Sequence, residues 1–134
     1  MVIPVYNEED NIKPLVAELH DVLRELHKSY EIIFVDDGSR DQSFGLLKEA
    51  AAQDPRIRVI RFKKNTGQTA AFDAGFKAAR GDMVVTMDAD LQNDPHDIPR
   101  LLNKIGEFDV ACGWRHRRRD PWIKIVSSRI ANFV

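Results

Sequence analysis

Cysteine is nearly absent from this 134-residue chain. The single Cys112 excludes an internal disulfide and fits a reducing compartment. It sits in the apolar run 108–112, where a buried structural thiol is expected rather than a nucleophile. No apolar run approaches the roughly 20 residues of a membrane-spanning helix, and no signal peptide precedes the first apolar run. Zinc spacings are missing too. There is no His-x-x-x-His and no Cys-x-x-Cys; His20 and His27 read as surface residues of a helix, and His96 as the opening of another. A Gly-x-Gly-x-x-Gly is lacking, which argues against an NAD-type dinucleotide site, and no Gly-Lys-Ser/Thr marks a Walker loop. Net charge is only −1, so bulk electrostatic attraction to nucleic acid or lipid is not expected.

What is present is enough to bury a core: 43% of residues are hydrophobic and 31% charged, in a length suited to one domain. Apolar runs and helical stripes alternate. Residues 1–5, 31–35, 57–62, 83–87 and 108–112 read as strands. Ile12, Leu15, Val16, Leu19, Val22, Leu23 and Leu26 form a helical stripe, capped at Asp10 or Asn11, with Pro14 in its first turn. Further helices are expected from Asp41 or Ser43 to before Pro55, over 69–79 and over 95–105. Strand–helix alternation predicts an α/β fold, a mostly parallel sheet with helices on both faces. The first strand has no lead-in and the last residues read as the inside of a helix, so a fragment of a longer chain is expected.

The polar residues at the strand ends carry the chemistry, because such sheets open their ligand crevice at the carboxyl edge. Strand 83–87 runs into Asp88-Ala89-Asp90-Leu91-Gln92. Two carboxylates one residue apart can hold a hard divalent cation through oxygen and leave positions for phosphate and water, with Gln92 adding a neutral oxygen. The same residues also suit a plain polar turn. After the first strand come Tyr6, Asn7 and Glu8, able to stack on or hydrogen-bond a nucleoside, or simply to open a helix. After the second come Asp36-Asp37-Gly38-Ser39, where a carboxylate can accept from a base N–H or a ribose hydroxyl. Asn65-Thr66-Gly67-Gln68 leads into a helix whose N-terminus favours anions, and Gly67 permits close backbone approach.

Together these four segments, 2–9, 35–39, 65–68 and 87–92, occur in the order that resembles family 2 glycosyltransferases of GT-A fold. Each piece is common; the combination is specific. Within that family Asp90-Leu91-Gln92-Asn93-Asp94-Pro95 is most similar to the polyprenyl-phosphate branch, which includes dolichol-phosphate mannose synthases and relatives that charge undecaprenyl phosphate. The resemblance covers the whole chain. It implies one truncated GT-A domain over residues 1–134, binding a UDP- or GDP-sugar donor. By position, Pro4, Tyr6, Asn7, Glu8 and Asp36 would line the nucleoside pocket, with Asp37, Gly67 and Gln68 also donor-side. Asp88 would meet the ribose or metal-bound water, and Asp90, helped by Gln92, would ligate Mg²⁺ or Mn²⁺. The implied reaction is direct displacement with inversion.

Residues 113–129 carry Arg115, Arg117, Arg118, Arg119, Lys124 and Arg129 against Asp120, a local +5 from six bases less one acid. Trp114 and Trp122 flank the arginines, and that mixture suits a membrane interface or lipid phosphate better than nucleic acid. A solvated basic face remains the plain alternative. By resemblance, Arg115 and Arg129 would engage the acceptor phosphate, and residues 113–134 would form a membrane-proximal acceptor segment at a cytoplasmic membrane face. The other readings are a family 2 transferase with a soluble glycan acceptor, and a non-catalytic nucleotide-binding module. No general base is nominated.

Overall fold

The computed structural model describes residues 1–113. Strand β1 (Val2–Val5) leads to helix α1 (Glu9–Glu25), β2 (Ile32–Asp36), α2 (Ser43–Gln53), β3 (Ile57–Arg61) and α3 (Gln68–Ala78). A 3₁₀ turn (Pro95–Asp97) and a short α4 (Ile98–Leu102) follow. The three strands are parallel, in the order β1-β2-β3, with Val2 opposite Ile33 and Ile32 opposite Ile57. Alternation along each strand splits the core in two. Ile3, Val5, Ile32, Phe34 and Ile57 pack under α1 and α2 with Leu15, Leu19 and Leu47. Val2, Ile33 and Val35 face α3 through Ala71. The expected sheet with helices on both faces is therefore observed. The Ala- and Gly-rich face of α3 lies close on the sheet, for a Cβ on Gly75 would run into the Cγ1 methyl of Val2.

Four expectations are corrected. Helix α1 opens at Glu9, not at an Asp10 or Asn11 cap, and Pro14 lies in its second turn. The reason is tertiary: Glu8 N donates to Ser43 Oγ (2.8 Å) and Glu9 N to Asp41 Oδ2 (3.1 Å), so the first-turn donors need no local cap. Pro14 and Asp10 are both exposed, so the carbonyl that Pro14 cannot serve meets water. Residues 83–87 run parallel beside β1 but touch it only around Thr86: Val2 N donates to Val85 O (2.9 Å) and Met87 N approaches Val2 O (3.4 Å). Met83 and Val84 are 46% and 44% exposed, because no described strand flanks them on the outer side. Residues 108–112 form no strand. Phe108 and Val110 are 54% and 75% exposed and Cys112 is exposed, so the buried thiol expected there is not found. The expected helix over 95–105 is broken into the 3₁₀ turn and α4, with Pro95 and Pro99 each lacking a donor.

Two bolts at opposite ends of the sheet use buried carboxylates. At the amino edge Asp54 lies 2.8 Å from His20 Nε2 on α1 and takes a fork of bonds from Arg56, whose guanidinium covers Tyr30. His20 is thus half-buried beside a carboxylate, at ion-pair distance without hydrogen-bond alignment, not a free surface residue. At the carboxyl edge Asp37, 3% exposed, accepts the backbone N–H of Thr66 on Oδ1 (2.7 Å) and of Gly67 on Oδ2 (2.8 Å). Gly38 beside it has φ +72°, and a Cβ there would lie 2.6 Å from the Lys64 carbonyl carbon. Only glycine allows both the turn and the approach.

Each bolt has a measurable consequence. The hydrogen bond from Arg56, reinforced by its charge and opposed by burial, holds Asp54 down to about 2 from 3.8. A depressed carboxylate contributes stability above its unfolded value and loses it as pH falls through the folded one. Asp54 should therefore contribute about 2 kcal/mol that disappears between about pH 4 and pH 2. Urea titrations across that range should show the loss in the natural protein and a flatter profile in Asp54→Asn. For the other bolt, Asp37→Asn puts an N–H against an N–H and should cost about 1–3 kcal/mol. Amide exchange at Thr66 and Gly67 should accelerate selectively; unchanged protection there would rule out the clamp.

Candidate functional site

After β3 the chain crosses through α3 on the second face and returns beside β1. The winding therefore reverses between β1 and residues 85–87, and open α/β sheets bind ligands at such a reversal. Two turns follow the neighbouring parallel segments at its carboxyl side, Tyr6-Asn7-Glu8 after β1 and Asp88-Ala89-Asp90-Leu91 after Met87. Each contains a non-glycine residue in the left-handed region, Asn7 (φ 56°) and Leu91 (φ 57°). Asparagine tolerates this; for leucine it costs about 1 kcal/mol, strain of the kind found at ligand-binding turns.

Ala89 is buried in the core while Asp88 and Asp90 on either side of it reach the surface. Asp90 Oδ1 accepts Gln92 N (3.1 Å), closing the turn, and Gln92 itself is exposed. Gln68, at the N-terminus of α3, donates its amide to Asp88 Oδ1 (2.6 Å). The structure thus brings together Gln68 and Asp88, two residues twenty positions apart in separate motifs. Gly67 has φ 101° with nothing within 4 Å of an added Cβ, so the chain there faces open space. Among the described residues no three His, Cys, Asp or Glu side chains are grouped to hold a metal. The donor set at Asp88 and Asp90 is hard oxygen, of the kind Mg²⁺ and Mn²⁺ accept while taking further ligands from substrate phosphate.

The two neighbouring aspartates of β2 and its turn do different things. Asp36 is fully buried; Oδ1 accepts Ser39 N (3.1 Å), and Oδ2 lies 3.3 Å from Arg61 Nε. That approach has ion-pair distance without hydrogen-bond alignment, leaving Oδ2 short of a bond. Asp37 commits both oxygens to the 66–67 backbone, so its carboxylate positions the loop. Asn7 is similarly engaged: its N–H donates to Ser39 Oγ (3.0 Å) and its Oδ1 accepts Arg40 N (2.9 Å). Glu8 accepts from Asn11 Nδ2 (2.6 Å). Pro4 lies in β1 opposite Val35, and Tyr6 is 40% exposed, with its ring available to a ligand.

Several contributors carried no assigned role in the motifs. Ser39 and Ser43 receive the Asn7 and Glu8 amides, and Asp41 receives those of Glu9 and Ser43. Burial pushes the Asp41 carboxyl up, but the Ser43 hydroxyl and these backbone bonds bring it below its ordinary value. Arg61 is found only through strand register, which sets it opposite Asp36. Beyond the acidic turn, Asp94 accepts from His96 N (2.9 Å) and lies 2.8 Å from its Nδ1, which raises the imidazole and lowers the carboxyl. Arg115 and Arg129, with the rest of the basic segment after Gly113, lie outside the described residues.

Comparison with known proteins identifies the family. The model of glycosyl transferase family 2 matches residues 1–132. The undecaprenyl-phosphate 4-deoxy-4-formamido-L-arabinose transferase of Aeromonas hydrophila is 41% identical over 98% of this chain and 41% of its own length. That of Pseudomonas fluorescens (strain Pf0-1) is 45% identical over the whole chain and 40% of its own length. The chain thus spans about two fifths of these curated relatives. Among solved structures, S. aureus TarS 1-349 in complex with UDP superposes with a TM-score of 0.60 at 24% identity, over 79% of this chain and 31% of that one. The mannosyltransferase PcManGT from Pyrobaculum calidifontis, in complex with GDP-Man and Mn²⁺, gives 0.56 at 26% identity, over 72% and 28%. With the family pattern running through nearly the whole chain and the parallel sheet in place beneath it, this chain belongs to glycosyl transferase family 2.

Proposed function

We propose that this chain carries the donor-binding part of a metal-dependent, inverting glycosyltransferase that moves a sugar from a UDP- or GDP-sugar to a polyprenyl phosphate. The observation that carries the reading is that the Asp88–Asp90 turn and the Tyr6–Glu8 loop follow neighbouring parallel segments at the reversal of winding. The similarity to undecaprenyl-phosphate sugar transferases supports the acceptor class.

Tyr6 would lie against the nucleobase, with Pro4, Asn7 and Glu8 shaping the pocket and the buried Asp36 lining it from beneath. Asp88, oriented by Gln68, would hold the ribose or a metal-bound water. Asp90 would hold Mg²⁺ or Mn²⁺ with help from Gln92. When bound, the cation supplies Lewis-acid stabilisation of the departing nucleoside diphosphate. Arg115 and Arg129 would hold the acceptor phosphate by paired guanidinium bonds. That phosphate is already ionised and can attack the anomeric carbon from the face opposite the leaving group, without a strong general base. Residues 1–134 would then be one donor-binding domain, with 113–134 as its acceptor segment at the cytoplasmic face of a membrane. No helix among the described residues is long and apolar enough to cross one.

Calorimetric titration with UDP and GDP, each with and without Mn²⁺, tests the donor side. One nucleotide should bind only with metal, and Asp90→Ala should weaken it by about 100-fold. Binding that ignores both the metal and the substitution would remove the acidic turn from the site. For the acceptor side, Arg115→Ala and Arg129→Ala should spare nucleotide affinity and lower turnover on polyprenyl phosphate by about 100-fold. Full turnover in both would favour the soluble-glycan acceptor instead.

A further inference from the structure

On the β3 side of the carboxyl edge, across β2 and β1 from the acidic turn, the loops after β2 and β3 enclose a cleft of about 480 Å³. Four cations line it: Arg40 from the first loop, Arg61 at the end of β3, and Lys63 and Lys64 from the second. Phe62 supplies an apolar wall, and among the described residues no carboxylate lines the space. Arg61 is partly spent, leaning on Asp36 and stacked 4.1 Å over the Phe44 ring. Arg40, Lys63 and Lys64 form no ion pair among the described residues.

Like charges held around one concavity repel each other and focus a positive potential into it, which an anion relieves. The loops that hold them are fixed in advance. Asp37 clamps the 66–67 backbone, Gly38 lies against Lys64, and Asn7 ties down Arg40 N. The backbone amides of Ser39 and Arg40 are already engaged by Asp36 and Asn7, so an anion here is held by side chains. A fixed frame with movable cationic tips is preorganised at little entropic cost. We propose that this cleft binds a phosphate group without a metal, as a site separate from the donor site. Its volume exceeds that of a phosphate alone and admits an attached organic portion against Phe62. That phosphate can come from a free phosphorylated molecule or from the headgroup of an anionic lipid. This inference stands independently of the donor and acceptor assignments above.

The test uses the whole chain in EDTA, so that no metal sits on the acidic turn, and the double variant Lys63→Glu/Lys64→Glu, whose exposed positions spare the core. Inorganic pyrophosphate is titrated by amide chemical shifts. In parallel, flotation is measured with phosphatidylglycerol and phosphatidylcholine vesicles. The residues after Gly113 are common to both proteins, so the difference between them reports the cleft. A free-phosphate site predicts pyrophosphate binding weakened more than about tenfold in the variant, lost also in high salt. A headgroup site predicts flotation with phosphatidylglycerol alone, reduced to the same degree in the variant. Asp90→Ala should leave either result unchanged. Identical behaviour of natural and variant proteins in both arms would overturn the proposal. So would loss of metal-dependent nucleotide binding in the lysine variant, since the cleft would then belong to the donor site.

Discussion

A single buried carboxylate holds the carboxyl edge of the sheet together. Asp37 accepts two adjacent backbone N–H groups from a loop thirty residues away, and Gly38 next to it lets that loop press within contact distance of the turn. Charge-assisted bonds of this kind, removed from water, are among the stronger contacts a protein makes, and leaving either partner unmade there is expensive. The consequence reaches the chemistry in two steps. The clamp fixes Gly67, the N-terminus of α3 begins at Gln68, and Gln68 orients Asp88. A residue that contacts no ligand therefore sets where one of the two acidic side chains points.

The second restraint is reciprocal. The loop after β1 donates its amides to Ser39, Ser43 and Asp41, while Asn7 and Glu9 accept amides from Arg40 and Gln42. Each loop satisfies part of the other's exposed backbone, and Asp41 and Asp36 close the rest of the second loop on Ser43 N and Ser39 N. Rigid loops on a rigid sheet are what a binding site requires, since flexible ones would spend binding energy on ordering.

This reciprocity also explains what could and could not be read from the sequence. Strands β1 and β2 were legible because burial on both faces demands continuous apolar runs, β3 because its apolar residues alternate with arginines, and α1 because its stripe keeps helical spacing. The cap of α1 was not legible, since its donors are met by residues more than thirty positions away. Residues 83–87 and 108–112 have strand composition, but a strand exists only where a neighbour accepts its hydrogen bonds, and composition does not say whether one is there. Cys112 was misplaced for the same reason. Asp36 and Asp37 look interchangeable as a dipeptide. Alternation along β2 turns one toward Arg61 and the other toward the 66–67 loop, a distinction that depends on register.

Net charge was the least informative quantity. A value of −1 hides a segregated charge: carboxylates at the reversal of winding, cations on the β3 side of the same edge, and, in the sequence outside the described residues, a run of bases after Gly113. On the proposed reading this segregation has a direct electrostatic meaning. A diphosphate brought to Asp88 and Asp90 adds negative charge to negative charge, and at contact distance each like pair opposes binding by about 4 kcal/mol in partly screened surroundings. Only a cation between them reverses that sign, so two acids at this position make nucleotide binding conditional on metal. The lysines and arginines a few strands away face no such condition. One sheet edge can then hold one phosphate through a cation and another without one, and the two sites can be told apart by chelation alone.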